Sequence, residues 1–104
     1  MEKDGVIMDD GFIFMVLETV AEVPKGKVAS YSQIASLLGY PRHARQVGRV
    51  LASATQYGKY PCHRIVHADG TLLTHWKQQE VLLSEEGIFV EKGKVDMQKY
   101  GWRE

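Results

Sequence analysis

Cys62 is the single cysteine of this 104-residue chain, and it sits in the segment Tyr60-Pro61-Cys62-His63-Arg64-Ile65-Val66. A lone thiol makes no internal disulfide and no cysteine-rich metal site. Three fates remain: inert packing, a bond to another chain, or nucleophilic chemistry. Free cysteine ordinarily behaves as a small buried hydrophobe. The neighbours of Cys62 argue for chemistry. A thiol reacts as its thiolate, and the basic groups of His63 and Arg64 favour that form. Pro61 fixes a backbone angle just before the sulfur and stiffens the segment.

The charge pattern adds a ligand class. The chain carries 13 Lys and Arg and 13 Asp and Glu, for a formal net charge of zero. Yet Lys25, Lys27, Arg42, Arg45, Arg49, Lys59 and Arg64 fall in one window that holds no acid. Surfaces normally mix both signs. A basic block inside a neutral protein is a footprint for an anion, and a nucleic-acid backbone fits it.

Elements must hold these residues. Asp10 is placed to cap a helix to about Glu22, with Phe12, Ile13, Val16, Leu17 and Val20 on one face. Pro24 and Gly26 end it, and Lys27-Val28-Ala29 is a short extended piece. Ser30 and Gln33 match a capping box ahead of Ile34, Leu37 and Leu38. Gly39 suits the C-terminal cap. A second helix is expected from about Arg42 to Ala52, giving a helix-turn-helix. At ~100° per residue, Val47, Val50 and Leu51 face the core and Arg42, Arg45 and Arg49 face away. Ala44, Gly48 and Ala52 form a stripe of small residues between them. Such a helix is either a solvated arginine face or one laid into a groove, with arginines reaching phosphates.

Thr55 to Lys59 read as a polar loop, and Tyr60 to Val66 as a buried extended piece. Asp69-Gly70 is a turn before a strand Thr71-Leu72-Leu73. A last helix runs from about Trp76 to Glu86, with Trp76, Leu82 and Leu83 inward, and Gly87 ends it. Ile88 to Val90 and Lys92-Gly93 read as strand and turn, and the tail with Val95, Met97, Tyr100 and Trp102 is apolar enough to dock. The fold class is mainly α with small β elements, a winged-helix-like three-helix core in one domain over residues 1–104. No apolar run approaches the ~20 residues that span a bilayer, so no membrane is expected. Met1 to Asp10 lack the apolar stretch of a secretory leader, and one unpaired cysteine suits a reducing compartment. The expected location is cytoplasmic. His43, His63, His67 and His75 have no metal-ligand spacing, so neither metal nor cofactor is expected.

Pro61-Cys62-His63-Arg64-Ile65-Val66 resembles the acceptor motif of the O6-alkylguanine-DNA alkyltransferases. Pro24-Lys25-Gly26-Lys27-Val28, Ser30-Tyr31 and Ala44-Arg45-Gln46-Val47-Gly48 resemble that family's helix-turn-helix, and Leu82-Leu83 with Glu86-Gly87 its closing helix. The resemblance runs from about Phe12 to Val90. It implies repair of alkylated duplex DNA bound in the minor groove, by a monomer. Arg45 would fill the gap left by an everted base. Tyr31 would crowd the phosphate and help protonate the leaving group. Cys62 would take the alkyl group once, with His63 and Glu86 relaying its proton through water. Arg42, Ala44, Gly48, Arg49 and Arg64 would complete the DNA contact. Eversion costs a few kcal/mol, since the alkyl carbon is unreachable inside the stack. Thiolate is the side chain best suited to displace guanine from that carbon.

The chain departs from the repair enzymes in four places. No N-terminal companion domain is expected. Ser53, Ala54 and Thr55 stand where an asparagine hinge is usual, and Gln79 stands where a lysine is frequent. The loop Leu73-Thr74-His75-Trp76 is short. Three of these features are similar to the alkyltransferase-like proteins, single-domain relatives that bind O6-alkylguanine, transfer nothing and hand the lesion to nucleotide excision repair proteins. Those usually carry tryptophan where this chain keeps Cys62. A winged-helix regulator reading sequence through Arg42, Arg45 and Gln46 is the third possibility, and it leaves the Pro-Cys-His-Arg segment unexplained.

Overall fold

The computed structural model describes residues 10–103. The expectation of no secretory leader falls largely on residues 1–9, which lie outside that span. Helix α1 (Asp10–Ala21) turns Phe12, Val16, Leu17 and Val20 inward on one apolar stripe. Helices α2 (Tyr31–Leu37) and α3 (Ala44–Ala52) pack against it and each other, adding Ile34, Ala35, Val47 and Val50. This is the expected three-helix core.

The helix ends differ from expectation in instructive ways. Ser30 Oγ accepts from the Gln33 amide at 3.0 Å, so the cap forms. The Gln33 side chain is turned toward the C-terminal tail, with Nε2 donating to the Trp102 carbonyl at 2.9 Å. Helix α3 starts at Ala44, two residues later than expected. The His43 amide closes a turn onto Tyr40 O at 2.9 Å, and His43 has non-helical angles. Arg42 therefore lies outside the helix. After α3, residues expected as a polar loop form a 3-10 turn, Ala54–Tyr57, whose Ala54 joins the core.

A narrow parallel ribbon divides the apolar interior. Strand β1 (Ala29–Ser30) pairs with β2 (Ile65–Val66), Ala29 opposite Ile65 and Ser30 opposite Val66. Side chains alternate across a strand. Ala29 and Ile65 thus join the helical cluster, while Val28 and Val66 face a second one with Leu72, Leu83, Ile88 and Val95. The tail extends the ribbon. Gly101 bridges Val28, and the Trp102 amide donates to Val28 O at 2.7 Å. Helix α5 (Met97–Tyr100) precedes it, capped by Asp96, whose Oδ1 accepts from the Gln98 and Lys99 amides.

Helix α4 (Gln78–Glu85) begins two residues after Trp76, which stays in the preceding loop. Thr71 to Leu73 form no strand; Thr71 makes one bridge to Lys94. The hairpin of β3 (Val90–Glu91) and β4 (Lys94–Val95) turns through Lys92 and Gly93, both at positive φ, as a tight two-residue hairpin requires. Gly70 is forced: a Cβ there would run into the Val95 carbonyl. No helix among the described residues is long and apolar enough to cross a membrane.

Candidate functional site

The site is built on the turn that presents Cys62. The Cys62 amide donates to Tyr60 O at 2.8 Å across Pro61, whose φ of −79° and ψ of 59° make an inverse γ-turn. Proline suits that centre because its ring already holds φ near the required value. The chain then enters a single 3-10 turn, Cys62–Arg64, and runs straight into β2. The expected extended piece is therefore a γ-turn and a 3-10 turn, with only Ile65 and Val66 in a strand. Two consecutive tight turns lift the sulfur off the ribbon while the ribbon anchors their end.

Cys62 opens on a cavity of about 1490 Å³. Tyr31 and His63 line it beside the sulfur. The face of α3 lines another side with Ala44, Arg45, Gly48 and Ala52, so the small-residue stripe borders the hollow. Leu51 also lines it, and is shared between core and cavity. Leu73, His75, Trp76 and Leu82 form further wall; Trp76 and Leu82 thus face the hollow and not the core. The Tyr31 ring lies 5.5 Å from that of His67, centroid to centroid, because both residues directly follow the paired ends of β1 and β2. Gly48 sits over Tyr31, where a Cβ would just touch the ring at 4.0 Å.

Behind the cavity, Glu86 organises the turn. Its Oε2 is 2.8 Å from His63 Nε2. Arg64 donates to the same carboxylate twice, Nε to Oε1 at 2.9 Å and Nη2 to Oε2 at 2.8 Å, and Nη1 donates to Val23 O at 2.8 Å. The side chains of Arg64 and Glu86 are only 16% and 11% exposed. Burial alone would raise the Glu86 carboxyl, but the hydrogen bonds and charges of Arg64 and His63 outweigh it and lower the group from 4.5 to about 2. Glu86 is an ionised acceptor at neutral pH, so the proton between it and His63 belongs to Nε2.

These geometries revise two expectations. Arg64, expected on DNA, has its guanidinium turned inward onto Glu86 and Val23. His63 and Arg64 were expected to favour the thiolate, yet burial pushes the Cys62 thiol up, the backbone hydrogen bond opposing it only in part. Both basic groups are instead engaged by the Glu86 carboxylate. Burial, and then the proximity of Cys62, likewise raise the Tyr31 phenol.

Of the other expected residues, Tyr31, Ala44, Arg45, Gly48, Cys62 and His63 meet at the cavity. Arg42 and Arg49 are exposed on or beside α3 and do not line it, and Glu86 stands one layer behind His63. Sequence reasoning missed the part played by Gln79. This side chain is fully buried, with Nε2 donating to the carbonyls of His63 and Ile65 at 3.2 and 3.0 Å and Oε1 accepting from the Leu73 amide at 2.9 Å. The available signal was its place four residues before Leu83, a polar group on the apolar face of α4. Among the described residues, no group of three or more His, Cys, Asp or Glu could hold a metal ion.

Residues 12–88 match the family model described as 6-O-methylguanine DNA methyltransferase, DNA binding domain. The chain is 39% identical to the DNA base-flipping protein of Escherichia coli, over 97% of this chain and 81% of that protein. It is 31% identical to alkyltransferase-like protein 1 of Schizosaccharomyces pombe, over 90% of this chain and 96% of that one. The crystal structure of S. pombe Atl1 with damaged DNA containing O6-carboxymethylguanine superposes with a TM-score of 0.87 at 30% identity, covering 92% of this chain and 98% of that one. The methylated-DNA–protein-cysteine methyltransferase of Rattus norvegicus is 36% identical over 80% of this chain but only 42% of its own length. The chain belongs to the 6-O-methylguanine DNA methyltransferase family, through its DNA binding domain.

Proposed function

We propose that this protein binds duplex DNA carrying O6-alkylguanine, everts the damaged nucleotide into the cavity, and takes the alkyl group on Cys62 in a single turnover. The observation that carries this reading is the sulfur facing a cavity bordered by Arg45 and Tyr31, with His63 held by Glu86 at 2.8 Å. Helices α2 and α3 act as the helix-turn-helix. The small face of α3 approaches the minor groove, and Arg45 occupies the vacated stack. Arg42 and Arg49 reach phosphates, the contacts that fix position without reading sequence.

In the transfer, a bond forms between Sγ and the alkyl carbon as the carbon–O6 bond breaks. That electron pair leaves with guanine. The thiol proton passes through water to His63, whose Nε2 is already engaged by Glu86, so Nδ1 is the nitrogen left to take it. The raised Tyr31 phenol stays protonated at neutral pH, as a donor to the leaving guanine must. Cys62 keeps the alkyl group, so each protein acts once.

A second reading has its own support. Burial raises the resting thiol and so favours its protonated form, and the similarity to Atl1 spans nearly the whole of both chains. On that reading the protein is a lesion sensor that transfers nothing and presents the site to nucleotide excision repair proteins. Intact mass after incubation with duplex containing O6-methylguanine separates the two. A gain of one methyl group, absent in Cys62→Ala, supports transfer. Tight lesion binding with unchanged mass supports the sensor. No preference for the lesion over undamaged duplex overturns both.

A further inference from the structure

A buried amide is costly unless its donors and acceptor are paired. Gln79 is 0% exposed and meets that condition with three partners drawn from two separate segments. The carbonyls of His63 and Ile65 flank Arg64, in and just after the turn that presents Cys62. The third partner, the Leu73 amide, belongs to the stretch that carries Leu73, His75 and Trp76 into the cavity wall. Leu73 lies in no strand, so its amide depends on one side chain for its hydrogen bond.

We propose that Gln79 is a positioning residue that clamps the Cys62 turn to the Leu73 wall and so sets the size of the O6 substituent the cavity admits. This rests on the proposed function above. A side chain that ties both segments to one rigid helix fixes their separation. Release of the Leu73 bond lets the wall move outward, which costs a small substituent its contacts and relieves a large one.

Two measurements test it. The first is amide hydrogen exchange on the unmodified protein, which needs no DNA. The Leu73 amide should be protected at least tenfold more than expected for an exposed amide; exchange at the exposed rate overturns the clamp alone. The second compares binding to duplexes carrying O6-methylguanine and O6-benzylguanine. In Gln79→Met the ratio of the two affinities should move roughly tenfold toward the benzyl adduct, the scale on which pocket contacts discriminate. A merely structural role would weaken both in proportion, and an unchanged ratio overturns the proposal. Should Gln79→Met fail to fold, Gln79→Lys keeps donors for His63 and Ile65, has no acceptor for Leu73, and gives the same two readouts. Failure of the unmodified protein to prefer either lesion duplex overturns the proposed function, and the size-selecting role with it.

Discussion

His63 Nε2 lies 2.8 Å from Oε2 of Glu86, a residue 23 positions further on at the end of another element. The contact exists because the 3-10 turn at Cys62–Arg64 and the C-terminal end of α4 converge, and because Arg64 grips the same carboxylate from its other side. It orients the ring beside the sulfur and holds Glu86 ionised. It also makes stability depend on acid.

The Glu86 carboxyl is lowered in the folded state, to about 2 from an ordinary 4.5. Its contribution is therefore fully present above the unfolded value and lost as pH falls from 4.5 toward 2. Urea unfolding of the protein and of Glu86→Gln, from neutral pH down through this range, should give two curves that differ most near neutral pH and converge in acid. Parallel curves would deny the coupling.

Arg64 and Arg45 should separate fold from binding. Arg64→Ala leaves a mostly buried carboxylate without its bidentate partner, so stability should fall by about 3 kcal/mol. Arg45→Ala alters an exposed side chain and should leave the urea midpoint within about 0.5 kcal/mol of the original. Its effect should appear instead in fluorescence anisotropy. Affinity for lesion duplex should drop much more than affinity for single strands, and equal losses would remove the wedge role. Affinity for the lesion duplex should decline steeply with salt, as phosphate contacts release counterions.

Gly48→Ala should dissociate stability from binding in the opposite sense. The added methyl meets the Tyr31 ring at an ordinary 4.0 Å, so no clash opposes it. Alanine in place of a helical glycine should stabilise by up to about 1 kcal/mol. The same methyl thickens the face of α3 that approaches DNA, so duplex affinity should fall. Thermal denaturation and anisotropy on one preparation decide whether the two move apart.

The Cys62 thiol should react late in a pH series. Burial raises it, so the rate of alkylation by iodoacetamide should inflect above the pH expected of a free cysteine. An inflection below that value would mean that His63 supports a resting thiolate.

Much of this was legible in the order of residues. The stripe of Phe12, Val16, Leu17 and Val20, the Ser30 cap and the Gly39 and Gly87 stops gave three of the helices, because such signals act within one or two turns. The Pro-Cys-His-Arg segment marked the reactive turn and, by resemblance, the family. Side-chain direction over long separations was not legible. Arg64 and His63 are adjacent in sequence and both basic, yet one lines the cavity and the other locks inward on Glu86 and Val23. Gln79 read as a substitution at a position where the family often has lysine, and only packing revealed it as the tie between Leu73 and the Cys62 turn. Local sequence sets backbone turns and helix faces through short-range sterics and hydrogen bonds. Which charge is neutralised, and whether a thiol rests protonated, depend on burial and on partners brought from distant parts of the chain, and those exist only once the core has closed.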